Sequence, residues 1–177
     1  MTWCPLLLSV TGTMHFYARI QAMTSPKIVF MGSPDFAVPT LVALAESFSV
    51  VGIVTQPDRP AGRGRKLNSP PVKVLADELC IPVLQPQRLH KDPAAMDQLQ
   101  AWNPDVIAVA AFGQILKPEV LDLPPFGCLN VHGSLLPRWR GAAPINAAIL
   151  QGDTETGITI MKMDPEIGFG GIQLRIL

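Results

Sequence analysis

Short apolar runs alternate with stretches of helical period along most of this chain. Lys27–Gly32, KIVFMG, is an apolar run that stops at a glycine, the pattern of a strand buried on both faces. FSVVGIVTQ, IPVLQP, DVIAVAAFG, GCLNVHG and TGITIMKM repeat it and are the further predicted strands. Between the first two, SPDFAVPTLVALAES sets Leu41, Val42, Leu44 and Ala45 at helical spacing behind a Ser33 or Asp35 cap. VKVLADELC, PAAMDQLQAWNP and GAAPINAAILQGD are also helical in period; the second ends near Asn103-Pro104 and the third closes at Gly152. KPEVLDLPP is a short helix or turn. Pro57–Pro71, PDRPAGRGRKLNSPP, is crowded with Pro, Gly and Arg and reads as an irregular loop. Strands alternating with helices predict an α/β fold, a Rossmann-like, doubly wound and mainly parallel sheet with right-handed crossovers.

Composition narrows this picture. The chain has 177 residues, 48% of them apolar, enough for one ordinary core. Only 16% are charged and the formal net charge is +0, which argues against a disordered polyelectrolyte and against nucleic-acid binding by bulk charge. A local basic patch stays compatible, because affinity for phosphates follows local charge. The cysteines Cys4, Cys80 and Cys128 lie far apart without metal-ligand spacing. They read as buried small apolar residues in a reducing compartment, so a cytoplasmic location without a metal is expected. No run approaches the roughly 18 apolar residues of a membrane helix. Residues 1–22 contain PLLLSV but neither a basic start nor a persuasive cleavage site, and are taken as an extension before a domain over 23–177. The tail PEIGFGGIQLRIL is too short for another helix–strand unit, so an incomplete domain is expected, cut after its sixth strand.

Ligands of an open α/β sheet bind beyond the carboxyl ends of its strands. In CLNVHGSLLPRWRGAAP, Asn130 and His132 stand at such an end, and their i, i+2 spacing sends both side chains to one face. An amide donor beside an imidazole can hold a developing oxyanion and move a proton. Equally, Asn130 can cap a turn and His132 can be a satisfied, half-buried residue. The loop behind them, SLLPRWRG, offers backbone amides and leucines to a flat heteroaromatic ligand, with Arg138 and Arg140 for a carboxylate or phosphate. Its plain alternative is a solvated loop with Trp139 packed on the domain edge. Arg59, Arg63, Arg65 and Lys66 crowd one glycine-flexible loop and suit a phosphate backbone, or are merely solvated. MGSPDF lacks the later glycines of a dinucleotide fingerprint, and no P-loop pattern is present.

Taken together, FMGSPDFAVPTL, TQPDRPAGRGRKL, PVKVLA, FGQIL, GCLNVHGSLLPRWRGAAPI and GDTETGITIMKMD resemble, in this order, the methionyl-tRNA formyltransferase family. The resemblance runs from about Lys27 to Asp164, and Asn-x-His-x-Ser-Leu-Leu-Pro is shared more widely by 10-formyltetrahydrofolate-dependent transferases. It implies transfer of a formyl group from 10-formyltetrahydrofolate to methionine on initiator tRNA, by a monomer without a metal. It further implies that Asn130 and His132 are catalytic. Folate would lie against Phe112, Gly113, Gln114, Ile115 and Leu116, and against Ser134, Leu135, Leu136 and Pro137. The loop of Arg59, Arg63, Arg65 and Lys66 would meet tRNA, with Arg138 and Arg140 beside it. The family's D-x-G-x-D-T-G segment would place an Asp at position 168 to support the histidine, yet this chain has Gly168 and Phe169, with Asp164 and Glu166 out of register. After Gly171 the resemblance ends, and the family's β-rich tRNA-binding domain is expected to be missing through a truncation or frameshift. Impaired transfer follows as an expectation. A folate- or tRNA-binding protein without turnover, and another folate-dependent N-formyltransferase, are the alternatives.

Overall fold

The fold is given by a computed structural model that describes residues 25–61, 66–163 and 172–176, with the backbone alone for 61, 66 and 172–176. In chain order the elements are β1 (Lys27–Gly32), α1 (Val38–Ser47), β2 (Ser49–Val54), β3 (Arg59–Ala61), β4 (Lys66–Asn68), α2 (Pro71–Glu78), β5 (Val83–Leu84), α3 (Pro93–Trp102), β6 (Val106–Ala110), α4 (Pro118–Leu121), β7 (Cys128–His132), α5 (Pro144–Leu150), β8 (Ile158–Lys162) and β9 (Ile172–Ile176). Seven strands form one sheet in the order β5-β2-β1-β6-β7-β8-β9. β1 pairs parallel with β2 and with β6, and β6 pairs parallel with β7. The sheet is thus α/β and mostly parallel, wound outward in both directions from the β1–β6 pair.

The apolar runs that predict strands do so because both sheet faces are covered. Along β1, Val29 and Met31 enter one core with Leu99, Ile107 and Val109, while Ile28 and Phe30 enter the other with Leu41, Val72 and Ala108. Leu41 and Leu99 are fully buried, and truncating such a residue to Ala costs about 2–5 kcal/mol. Gly32 ends β1 for a steric reason: a Cβ there would come within 2.7 Å of the Ala110 carbonyl and 2.8 Å of the Ala37 Cβ. The end of β1 therefore lies tight against the end of β6.

The structure departs from the sequence expectations in five places. Ser33 and Asp35 do not cap α1; a single 3-10 turn, Asp35–Ala37, leads in, and α1 starts without a side-chain cap. The Pro57–Pro71 loop is partly regular, because Arg59–Ala61 and Lys66–Asn68 form an antiparallel ladder in a separate two-stranded sheet. A proline such as Pro60 is tolerated where a ladder has no further neighbour. Cys80 is exposed, whereas Cys128 is buried as expected, and Cys4 lies outside the described residues. β8 pairs antiparallel with β7, His132 standing opposite Thr159. An antiparallel strand can start where its neighbour stopped, so all of 133–157 stays at the carboxyl edge instead of crossing back. Finally, the tail does not leave β8 as an edge: Ile172–Ile176 pairs with it antiparallel.

Candidate active site

The carboxyl ends of β1, β6 and β7 meet at one level. Gly32 pairs with Ala110, and Val109 pairs with Asn130. Strand order reverses between β1 and β6, the place where open α/β sheets leave a crevice. A cavity of about 570 Å³ opens there. Its floor is Val109, Asn130, Val131 and His132; Phe36 and Ala111–Ile115 form one wall, and Gly141–Asn146 with Met163 the other. Ala111 turns through φ +46 and Gly113 through φ +78. An alanine in this left-handed region is uncommon, and backbone held so collects at functional sites.

Asn130 and His132 both line the cavity, as does Val131 between them. His132 is 7% exposed, and its Nε2 lies 3.1 Å from the Trp139 carbonyl. A carbonyl only accepts, so Nε2 carries the hydrogen, and in the neutral ring Nδ1 holds the lone pair. The histidine is therefore satisfied on one nitrogen and carries a lone pair on the other. Asn130 is half-buried, and among the described residues its carboxamide has no hydrogen-bond partner. It does not cap a turn. A carboxamide donor and an imidazole lone pair on one cavity floor suit addition to a carbonyl carbon followed by proton transfer.

The β1–β6 wall is fixed by neutral groups to which the sequence reading gave no part in the site. Ser33 Oγ accepts from Thr55 Oγ1 at 3.2 Å and from the Gln56 backbone N–H at 3.1 Å. Gln56 Nε2 donates to the Phe112 carbonyl at 3.0 Å, and Gln56 Oε1 accepts from Arg59 at 3.0 Å. Thus Arg59, the one loop cation whose side chain is described, is tied to the residue that holds the cavity wall. Of the other cations expected to meet phosphate, Arg63 and Arg65 lie outside the described residues, as does the Lys66 side chain. Gln114, expected against the ligand, turns its side chain away: Oε1 accepts from the Leu89 N–H at 2.8 Å and Nε2 donates to the Pro86 carbonyl at 3.0 Å. Phe112 and Leu116 belong to the core, while Ile115 is 81% exposed at the rim. Gln85 donates to Asp58 at 2.7 Å, and that bond holds the Asp58 carboxyl below its usual range.

The loop after β7 differs most from expectation. Ser134, Leu135, Leu136 and Pro137 do not line the cavity. Ser134 is fully buried and donates to the Arg138 carbonyl at 2.8 Å. Thr159 Oγ1 donates to the Ser134 carbonyl at 2.7 Å and accepts from the Leu136 N–H at 3.1 Å. These residues brace the loop because a buried backbone needs such partners. Arg138 is likewise occupied: its Nε and Nη2 donate to Asp153 at 2.9 and 2.6 Å, and its guanidinium lies 4.4 Å over the Trp139 ring. Trp139 is half-buried, and its indole N–H also donates to Asp153. Arg140 is exposed farther along the loop. Asp153 and Thr159 stood in a quoted motif, GDTETGIT, without a role; only tertiary pairing across β7 and β8 gives them one. Asp164, Glu166, Gly168 and Phe169 lie outside the described residues.

Known proteins resemble this chain in sequence and in fold. The formyl transferase family pattern matches residues 26–175. A methionyl-tRNA formyltransferase of Geobacter metallireducens is 54% identical over 154 residues, which cover 86% of this chain and 49% of the relative. That of Desulfotalea psychrophila is 56% identical, covering 85% of this chain and 47% of the relative. The chain spans about half the length of the curated relatives it matches. Among solved structures, the phosphoribosylglycinamide formyltransferase of Streptococcus pneumoniae TIGR4 superposes with a TM-score of 0.67 at 21% identity, covering 85% of this chain and 81% of that one. A formyltetrahydrofolate deformylase of Pseudomonas syringae pv. tomato gives 0.63 at 18% identity, covering 88% of this chain and 52% of that one. At these identities the two structures speak for the fold alone.

Proposed function

The chain belongs to the formyl transferase family, and from that premise we propose that it carries the formyl-transfer site of a methionyl-tRNA formyltransferase. The carrying observation is the pair Asn130 and His132 on the floor of the β1–β6–β7 cavity. The donor is a folate-derived formyl group, 10-formyltetrahydrofolate, and the acceptor is the amino group of methionine on initiator tRNA. The names of the relatives at 54% and 56% identity support that acceptor.

In the proposed reaction the amine nitrogen attacks the formyl carbon. The oxygen of the adduct takes up charge beside the Asn130 carboxamide, whose N–H donates to it. The His132 Nδ1 lone pair takes the proton that the amine sheds. The bond from carbon to the folate nitrogen then breaks, and that nitrogen leaves with a proton. Phe36, Ile115, Ile145 and Met163 line the cavity and would flank a ring system of folate size. Cavities of this scale, apolar with a few placed polar groups, are the usual small-molecule sites. The basic stretch of Arg59, Arg63, Arg65 and Lys66 is the proposed contact for the phosphates of the acceptor stem.

Gly168 stands where the family resemblance places the acid that supports the histidine. Transfer by this chain is therefore expected to be slow, and Gly168→Asp with Phe169→Thr is expected to raise it by about 10²–10⁴. Radiolabelled formyl transfer to charged initiator tRNA measures both rates. Equal rates would sink the role of the gap, and no transfer in either would favour a binding protein without turnover.

A further inference from the structure

We propose that Asp153 is the positioning residue of His132, acting through the main chain of Arg138 and Trp139. Two groups beside the cavity hang on that main chain. His132 Nε2 donates to the Trp139 carbonyl at 3.1 Å, and Ser134 Oγ donates to the Arg138 carbonyl at 2.8 Å. The carbonyl of Trp139 thus decides which ring nitrogen carries the hydrogen, and so which one is left to take a proton.

The main chain there is not held by regular structure. Trp139 has φ +59, a left-handed conformation that a bulky aromatic residue rarely adopts. Inside the loop, Ser134 holds the Arg138 carbonyl and the Leu135 carbonyl accepts from the Arg138 N–H; the side chains of Arg138 and Trp139 are held from outside it. The Asp153 carboxylate grips these two consecutive side chains at once. It accepts from Arg138 Nε at 2.9 Å and Nη2 at 2.6 Å, and from the Trp139 indole N–H. The guanidinium also lies 4.4 Å over the indole, which closes the grip. With both side chains pinned to one anion, the peptide between them, whose carbonyl accepts from Ser134, has little freedom, and Trp139 is held so that its own carbonyl, one peptide further on, stays at His132. Asp153 is itself anchored behind α5, where its N–H donates to the Ala148 carbonyl at 3.0 Å. The Asp153 carboxyl is held below the usual carboxylate range, first by the Arg138 hydrogen bonds and then by Trp139, in keeping with the same contacts.

The inference rests on the proposed proton-transfer role of His132 for its meaning, but its test does not need turnover. The probe is the full chain labelled with ¹⁵N-histidine, read by long-range ¹H–¹⁵N correlation at about pH 8.5, where ordinary imidazoles are neutral. The chain has three histidines, and His132→Gln identifies the signal. The wild type is expected to show His132 as the Nε2–H tautomer. Asp153→Ala should turn that signal into a mixture of both tautomers. Asp153→Asn, which keeps an acceptor for the indole, should change it less, and Trp139→Phe should fall between. An unchanged Nε2–H signal in a folded Asp153→Ala chain would overturn the proposal. Should that variant not fold, an unchanged signal in Trp139→Phe would do the same. Absence of formyl transfer by the wild type, with the tautomer shift intact, would count against the proposed function and leave the positioning role standing.

Discussion

The β1–β6 wall of the cavity and the loop after β7 face the same space but are fixed by opposite means. The first rests on a parallel ladder with neutral side-chain ties: Ser33, Thr55, Gln56 and Gln114 all bond to main chain or to each other. The second follows a ladder that turns antiparallel, and its residues 133–143 lie outside any regular element. It depends on two buried hydroxyls, Ser134 and Thr159, and on one ion pair, Arg138 with Asp153. Neutral ties next to a continuous ladder give a wall that pH does not loosen. A loop held by a carboxylate, its partner guanidinium 60% exposed, can be loosened by acid. The reacting groups sit where the two kinds of wall meet, so precision comes from the ladder and adjustability from the loop.

The largest effect that separates the walls is expected from Thr159→Val. It keeps the volume but orphans the buried Ser134 carbonyl and Leu136 N–H, at about 1–3 kcal/mol for each. Denaturant titration checks this; a loss well under that range would mean that the loop is held elsewhere. Next comes Gln114→Ala, which frees the Leu89 N–H and Pro86 carbonyl on the other wall. These part-buried groups can find water, so about 1 kcal/mol is expected, again by denaturant titration. The smallest effect is that of pH. Asp153 has a lowered folded pKa, so its contribution is complete above the unfolded value of about 3.9 and fades as pH falls through the folded one. Acid should therefore release the Trp139 indole signal below about pH 4 in the wild type, and not in Asp153→Asn. Solvent exposure screens that ion pair, which is why it ranks last.

Most strands were legible because double-sided burial leaves unbroken apolar runs, as in KIVFMG and DVIAVAAFG. Asn130 and His132 both line the cavity, but so does Val131 between them, so their i, i+2 spacing does not by itself account for the floor. What stayed hidden depended on partners distant in sequence. Ser33 looks like a helix cap until Thr55 and Gln56 are beside it, 22 and 23 residues away. Antiparallel β8 reads like any buried strand, since direction leaves no trace in an apolar run. Arg138 looks like a free cation for phosphate until Asp153 folds back onto it from 15 residues away. Nothing in SLLP itself foretells that Thr159 staples the Ser134 carbonyl and the Leu136 N–H, or that Ser134 and Leu136 are buried while Pro137 stays exposed.

The assignment of the cavity to a folate is tested most directly by equilibrium binding. Ala142 is an exposed residue on the cavity rim, so Ala142→Trp fills the space without touching the core. Calorimetric titration of the folded chain with 10-formyltetrahydrofolate should show binding that weakens about tenfold or more in the variant, a loss of ~1.4 kcal/mol. Equal affinity in the two proteins, or none in the wild type, would place the formyl donor elsewhere and contradict the assignment.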